Sequence, residues 1–251
     1  MKTFGLIGYP LKHSFSSKFF NEKFGREGID AEYRNFEIDD IRKIEQIVSD
    51  NPNLSGLNVT IPYKEKVIPF LNRISDDAAR IGAVNVIQIE RTGNNEDTPS
   101  LKGYNTDYIG FKNSISPLLN PDIHKRGLIL GTGGASKAAA HALTDLGLDW
   151  KYVSRTAGAD RLTYDELDRK IMAEYTVIVN ASPIGTFPDI DNAPAIPYRH
   201  ITSNHLLYDL VYNPAETLFL KEGKSRGAAI KNGADMLQLQ ALAAWEIWNG
   251  R

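Results

Sequence analysis

Short apolar, strand-like runs alternate with helix-forming runs along most of this chain, and no other feature restricts its fold as strongly. In the first part of the chain the strand-like runs cover 3–7, 33–38, 56–61 and 83–90, with helical runs near 16–27 and 40–48. A further helix is predicted to begin at Pro62, because proline is tolerated in the first helical turn. This β-α-β order predicts an α/β fold with a mostly parallel sheet and crossover helices.

A second alternating series follows, with strands predicted at 128–130, 152–153, 177–180 and 206–209. Thr163 and Glu166 have capping-box spacing and predict a helix over 164–173. The last predicted helix, 235–248, has an apolar face wide enough to dock on a neighbouring domain. A chain of 251 residues is long enough for two domains of roughly 100–200 residues. We expect one domain of residues 1–103 plus 234–251 and a second of residues 104–233.

Charge and composition favour small-molecule partners. The formal net charge is −2 and the basic residues are scattered, so neither nucleic acid nor a membrane surface is an expected partner. The chain has no cysteine, which fits a reducing, cytoplasmic location. No run approaches the about 20 apolar residues of a membrane span, and the amino terminus lacks a signal-peptide pattern. The expected state is a monomer or a homodimer.

The predicted strand 128–130 leads into a glycine-rich turn and then into a helical run. The turn consists of Gly131, Thr132, Gly133, Gly134, Ala135 and Ser136. Gly131 permits a tight turn, Gly133 lets the backbone approach a pyrophosphate, and Ser136 is small enough for close helix packing. The helix amino terminus would add N–H donors and a positive dipole end. The pattern predicts a dinucleotide site, although a tight strand-to-helix turn without a ligand would look the same.

A basic loop follows the next predicted strand. About 20 residues after the first glycine, where NAD-binding proteins carry a carboxylate, this chain has Ser154, Arg155 and Thr156. An arginine can bind a 2′-phosphate through two hydrogen bonds, and both hydroxyls can donate beside it. The loop therefore favours NADP over NAD, with a solvated loop arginine as the alternative.

Thr60 and Lys64 lie where the predicted strand 56–61 ends. Open α/β sheets bind their ligands at the carboxyl ends of their strands. A lysine there, in the first turn of the predicted helix, could exchange protons near neutral pH. The alternative is an ordinary surface lysine, such as Lys66.

Four other polar residues lie near the ends of predicted elements: Asn85, Asp107, Ser14 and Ser16. Asp107 could belong to a site or could cap the following helix. Ser14 and Ser16 could bind a carboxylate or cap a helix equally well. The five histidines have no metal-binding spacing, and there is no G-x-S-x-G elbow, so no metal site and no serine hydrolase is expected.

Nine motifs occur in a characteristic order along essentially the full chain. They are Ser14-Phe15-Ser16, Asn58 to Lys64, Gly82 to Asn85, Asn105 to Asp107, Gly131 to Ser136, Ser154 to Thr156, Asn180 to Ser182, Tyr208 to Tyr212, and Asn232-Gly233 with Gln240. Together they resemble the shikimate dehydrogenase family. One motif could arise by chance, whereas nine in order are highly specific. The resemblance implies an N-terminal α/β substrate domain and a C-terminal Rossmann-like NADP-binding domain.

The resemblance also implies an activity and residue roles. The activity is the reversible NADPH-dependent reduction of 3-dehydroshikimate to shikimate, in aromatic amino acid biosynthesis, with Lys64 and Asp107 as the catalytic pair. The implied substrate contacts are Ser14, Ser16, Thr60, Asn85, Tyr212 and Gln240. The implied NADP(H) contacts are Gly131, Thr132, Gly133, Gly134, Ala135, Ser136, Ser154, Arg155, Thr156, Val211 and Gly233.

The chain departs from the family pattern in the basic loop. Ser154 stands where family members commonly have asparagine, and Ala159 where they have a basic residue, with Arg161 two places beyond. The preference for NADP over NAD depends on these positions.

Two rival functions remain open. The first is an NAD-linked quinate and shikimate dehydrogenase, against which Arg155 and the serine at Ser16 argue. The second is a non-catalytic dinucleotide-binding sensor of shikimate, against which the presence of both Lys64 and Asp107 argues.

Overall fold

The structure, a computed structural model, describes residues 1–11, 15–91 and 99–250. The chain forms two compact units, Met1–Thr106 with Ala241–Arg251, and Asp107–Gln240. These limits lie a few residues from the domain limits that we predict from the sequence. The limits of the two functional domains stay a prediction. Across the described ranges, no helix has both the length and the apolar character needed to cross a membrane.

Both units combine strands and helices. The strands are β1 Lys2–Gly8, β2 Ala31–Glu37, β3 Leu54–Val59, β4 Arg73–Ile74, β5 Val86–Glu90, β6 Ser100–Tyr104, β7 Arg126–Leu130, β8 Asp149–Ser154, β9 Arg161–Thr163, β10 Val177–Asn180, β11 Leu206–Asp209 and β12 Ala229–Lys231. The helices are α1 Phe15–Glu27, α2 Lys43–Asp50, α3 Asp76–Ile81, α4 Thr106–Ile115, α5 Gly134–Asp145, α6 Arg169–Glu174, α7 Leu218–Lys224 and α8 Ala234–Trp248.

The sheet of the first unit is mixed. Its strand order is β2-β1-β3-β5-β6-β4, and β1 pairs in parallel with β2 and β3. In contrast, β5 runs antiparallel to both β3 and β6. Only residues 91–99 connect β5 to β6, which is too short for the crossover of a dozen or more residues that parallel pairing requires.

Aromatic side chains form much of the core on one face of this sheet. The Phe20 and Tyr33 rings stack at 4.9 Å, and Phe4 stacks on Trp248 at 4.8 Å. Trp248, near the end of α8, donates a hydrogen bond from Nε1 to the Ile87 carbonyl at 3.0 Å. The last turns of α8 thus belong to the core of the first unit.

The second unit is built on six strands that all run parallel. Their order is β12-β11-β10-β7-β8-β9, the arrangement of a doubly wound dinucleotide-binding sheet. The strand order reverses where β7 pairs with β10. Every residue of β10 and β11 is buried, as expected for strands covered on both faces.

Two predicted helices differ from the structure. Residues 61–67 form no helix, and only a 3-10 helix, Ile68–Phe70, follows them. The Lys64 carbonyl accepts a hydrogen bond from the Val84 N–H at 2.7 Å instead of from Ile68, and Pro69 has no N–H with which to extend a helix.

The second difference concerns residues 164–173. The capping box of Thr163 and Glu166 is present, but it heads a 3-10 helix, Tyr164–Glu166. The chain then restarts as α6, because the Asp168 side chain caps it by accepting from the Ile171 N–H at 2.8 Å. The prediction of one continuous helix over 164–173 is therefore wrong, although its predicted start is right.

Two glycine substitutions in the first unit test this packing. A Cβ added at Gly56 in β3 would overlap the Trp248 indole ring, whereas one added at Gly25 in α1 meets nothing within 4 Å. We expect Gly56→Ala to lower the free energy of unfolding by about 1–3 kcal/mol through overpacking. Gly25→Ala should raise it by about 0.5–1 kcal/mol, because alanine favours a helix. Urea denaturation measures both; equal effects would contradict the packing of α8 on β3.

Candidate functional site

The segment after β3 and the segment before β5, both with polar residues, lie at one edge of the sheet of the first unit. Thr60 follows the carboxyl end of β3, and its N–H donates to the Ile7 carbonyl at the end of β1, at 2.9 Å. Because β5 is antiparallel to β3, its first residue lies at this same edge, and the register pairs Asn58 with Val86. Asn85 precedes Val86 directly, so the structure brings Thr60 and Asn85 together.

Lys64 is anchored to this edge through its backbone. Its carbonyl accepts from the Val84 N–H, next to Asn85 in the chain. The Lys64 side chain is half-buried, in contrast to the exposed Lys66. The position predicted for Lys64 in a first helical turn is wrong, because residues 61–67 form no helix. Its place at the sheet edge instead follows from backbone hydrogen bonds.

Asn85 is 3% exposed, and its amide is oriented by Thr106. The amide oxygen accepts from the Thr106 N–H at 2.7 Å, and the amide nitrogen donates to the Thr106 hydroxyl at 3.1 Å. Thr106 follows β6, which ends beside the start of β5 because these strands are antiparallel. The buried amide is therefore held in one orientation.

A buried tyrosine links further polar groups of the first unit. The Tyr33 hydroxyl in β2 donates to the Asn58 side-chain oxygen in β3 at 2.6 Å. Burial raises the pKa of Tyr33 well above its usual value, and a hydrogen bond with the Ser16 side chain opposes that shift. Ser16 lies within α1, and its predicted partner Ser14 lies outside the described residues. Sequence reasoning missed Tyr33, since no local motif contains it.

The glycine-rich turn of the second unit joins β7 to α5. Gly131 has a φ of +113°, and a Cβ there would lie 3.2 Å from the Ala181 carbonyl oxygen, so a side chain is disfavoured on both counts. Thr132 follows it, and Gly133 precedes the first residue of α5. The Ser136 hydroxyl donates to the Gly133 carbonyl at 2.6 Å. With Gly134 and Ala135, this segment forms the open amino terminus of a helix.

The basic loop lies beside this turn. Leu130 and Val153 are paired in register on β7 and β8, so Gly131, the first residue after β7, lies beside Ser154, the last residue of β8. The Ser154 hydroxyl oxygen accepts from the Thr156 N–H at 3.2 Å, and the exposed Arg155 lies between them. Arg161 instead starts β9 and donates to Asp160 at 3.1 Å.

Val211 and Gly233 are brought together after β11 and β12. The Gly233 N–H donates to the Val211 carbonyl at 3.1 Å. A Cβ at Gly233 would overlap the Leu210 carbonyl, so only glycine permits this approach. Tyr212, next in the chain, is 45% exposed.

Asp107 and Gln240 lie on two helices of the second unit that approach closely. Asp107 is in the first turn of α4 and therefore does not precede the helix as a cap. A Cβ at Gly110, one turn later, would lie 2.5 Å from the Met236 carbonyl and 3.1 Å from the Gln240 Cβ. Both Asp107 and Gln240 are buried, and the Gln240 amide donates to the Leu237 carbonyl at 3.0 Å.

The chain is similar to known dehydrogenases over its whole length. Residues 6–87 match the family described as the shikimate dehydrogenase substrate binding domain. The shikimate dehydrogenase (NADP(+)) of Carboxydothermus hydrogenoformans is 39% identical over 264 residues, covering 99% of this chain and 92% of that protein.

Two solved structures share the fold. One is the shikimate 5-dehydrogenase of Thermus thermophilus in complex with NADP(H) and shikimate, with a TM-score of 0.83 and 28% identity, covering 100% of this chain and 94% of that one. The other is the quinate dehydrogenase of Corynebacterium glutamicum in complex with NAD, with a TM-score of 0.87 and 26% identity, covering 100% and 94%.

Proposed function

The chain belongs to the shikimate dehydrogenase (NADP(+)) family, and we propose that it catalyses the reversible NADPH-dependent reduction of 3-dehydroshikimate to shikimate. The family predicted from the nine motifs is thereby confirmed, as is an α/β fold with an N-terminal substrate domain and a C-terminal Rossmann-like domain. The observation that carries the proposal is the 39% identity over 99% of this chain. A cytoplasmic location and a monomeric or homodimeric state belong to the same proposal.

The second unit fits an NADP(H) molecule. Gly131 and Gly233 stand where a Cβ would meet backbone atoms, and Gly133 has open space around it, so a pyrophosphate could approach the backbone there. The amino terminus of α5 supplies N–H donors and a positive dipole end. We assign the diphosphate to residues 131–136 and the 2′-phosphate to Arg155, with Ser154 and Thr156 donating beside it. Val211 and Gly233 would contact the nicotinamide half.

Lys64 and Asp107 are the proposed catalytic residues. When bound, NADPH supplies a hydride to the C3 carbonyl of the substrate. Lys64 would stabilise the negative charge that develops on the carbonyl oxygen and donate a proton to it, and in reverse it would accept that proton. Asp107 would accept hydrogen bonds from the substrate hydroxyl and orient it.

Neutral polar side chains would hold the rest of the substrate. The ring hydroxyls need donors and acceptors of the amide type, which Asn85 and Gln240 supply, and Thr60 adds a hydroxyl. Ser14 and Ser16 would donate to the ring carboxylate. Tyr212, which is 45% exposed, would contact the substrate beside the nicotinamide.

Four substrate and cofactor pairs test the proposed function against its rivals. Shikimate and quinate are each offered with NADP and with NAD, and reduction of the dinucleotide is followed by absorbance. We expect the highest kcat/KM for shikimate with NADP. A preference for quinate with NAD would identify the rival dehydrogenase, and a lack of turnover with dinucleotide binding would identify the sensor.

Lys64→Ala tests the catalytic assignment. Removal of a general acid-base group should lower kcat by about 10² to 10⁴ and change KM for shikimate much less. Lys66→Ala, which removes an exposed lysine two positions away, is the matched control and should keep wild-type kcat. A Lys64→Ala variant with near-normal kcat would exclude Lys64 from the chemistry.

Arg155→Ala tests the cofactor assignment. Hydrogen bonds to charged groups are worth roughly 1.5–3 kcal/mol, so KM for NADP should rise about tenfold to a hundredfold. KM for NAD, which has no 2′-phosphate, should change much less. Arg199→Ala, at another exposed position of the second unit, is the control. Equal increases for both cofactors would mean that Arg155 does not bind the 2′-phosphate.

A further inference from the structure

Asp209 is a buried carboxylate to which the mechanism above assigns no role. It is the last residue of β11 and is 0% exposed. Its Oδ1 accepts from the Val211 N–H at 3.0 Å and from the Asn180 side-chain amide at 3.0 Å. Its Oδ2 accepts from the Thr217 hydroxyl at 2.6 Å. One side chain therefore binds three separate segments of the second unit.

The first of these segments borders the glycine-rich turn. Asn180 ends β10, and its side-chain oxygen accepts from the Ser182 N–H at 3.1 Å and from the Ser182 hydroxyl at 2.6 Å. This loop includes Ala181, whose carbonyl oxygen lies 3.2 Å from where a Gly131 Cβ would stand. Asp209 thus reaches, through Asn180, the loop that packs against the predicted diphosphate site.

The second segment carries Val211. Its N–H is bound by Asp209, and its carbonyl accepts from the Gly233 N–H, so both sides of this residue are held. The third segment is the start of α7, where Thr217 also accepts from the Leu220 N–H at 3.4 Å. Hydrogen bonds to the Asp209 carboxylate therefore hold the loop from 210 to 216 at both of its ends.

Burial of the Asp209 carboxylate is energetically unfavourable. Burial raises the pKa of Asp209 to about 6, while its hydrogen bonds to Thr217, Val211 and Asn180 act in the opposite direction. Within the described ranges, no lysine, arginine or histidine forms an ion pair with it. Buried polar groups are favourable only when their partners are complete. At neutral pH the Asp209 carboxylate therefore depends on accepting hydrogen bonds from these three donors.

We propose that Asp209 is a positioning residue for the dinucleotide, holding Val211 and Tyr212 and the loop after β10 in the arrangement that binds NADP(H). The inference rests on the proposed function, because it takes Val211 and the glycine-rich turn as cofactor contacts. Asp209 is 0% exposed and would act through the residues that it holds, so it is not a catalytic residue.

Asp209→Ala and Asp209→Asn form the test pair. The Kd for NADPH is measured by fluorescence titration without shikimate, and kcat and both KM values are measured on the same preparations. Asp209→Ala removes both acceptor oxygens and so all three hydrogen bonds, and Kd and KM for NADPH should therefore rise about tenfold or more, with KM for shikimate within about twofold. Asp209→Asn should recover most of the affinity, because its oxygen can accept both N–H groups and its amide can donate to Thr217.

His205→Ala is the matched control for general loosening of β11. His205 lies just before the opposite end of the same strand, is 2% exposed, and its ring is hydrogen-bonded to the Met172 carbonyl at 2.9 Å and the Thr202 N–H at 3.0 Å. Its loss should lower Tm and leave the Kd for NADPH unchanged. Equal increases of Kd in His205→Ala and Asp209→Ala would overturn the proposal.

Further results with Asp209→Ala and Thr217→Val also test the positioning role of Asp209. A folded Asp209→Ala variant with unchanged Kd, or with a lower kcat alone, would reduce Asp209 to a structural group and overturn the proposal. If Asp209→Ala does not fold, Thr217→Val decides: a raised Kd supports the proposal, and an unchanged Kd overturns it. Shikimate turnover by the wild type tests the proposed function separately, so the two failures are distinguishable.

Discussion

The direction of the strands determines which candidate residues of the loops lie together at one edge of each sheet. A strand covered on both faces is buried along its length, and only the residues at its ends can reach a ligand. Polar groups that bind a ligand therefore lie at the strand ends. In the second unit all six strands are parallel, and one edge therefore holds the glycine-rich turn, the Arg155 loop and the Val211 loop. In the first unit the antiparallel β5 gives the same result, because its start lies beside the end of β3.

Buried polar groups at these edges are held by hydrogen bonds within the protein. Tyr33 with Asn58, Asn85 with Thr106, and Asp209 with its three donors are arranged in this way. In the part of the chain that the structure describes, no buried side-chain nitrogen or oxygen lacks a partner. Satisfied networks of this kind are rigid and specify one arrangement. They prepare side-chain and loop geometry before any ligand arrives.

The sequence predicted the fully buried strands most accurately. The strands β10 and β11 were predicted to the residue, since strands covered on both faces appear as continuous apolar runs. The short strands β4, β9 and β12 were missed, because two or three residues carry no periodicity. The helix at Pro62 was wrong because the Lys64 carbonyl bonds to Val84, which is distant in sequence. Local propensity contains no information on such a partner.

By itself, the sequence determined the family, the α/β class and the residue types of the chemistry, because motif order and spacing are properties of the chain alone. Tertiary structure decided which of these residues are neighbours. Asn85 lies at the same sheet edge as Thr60 only because β5 is antiparallel to β3, and Asp209 reaches Asn180 only because β10 and β11 are paired. Strand order and direction depend on contacts between residues far apart in the chain, and for that reason the hydrogen-bond partners of Tyr33 and Asp209 could not be identified before the fold.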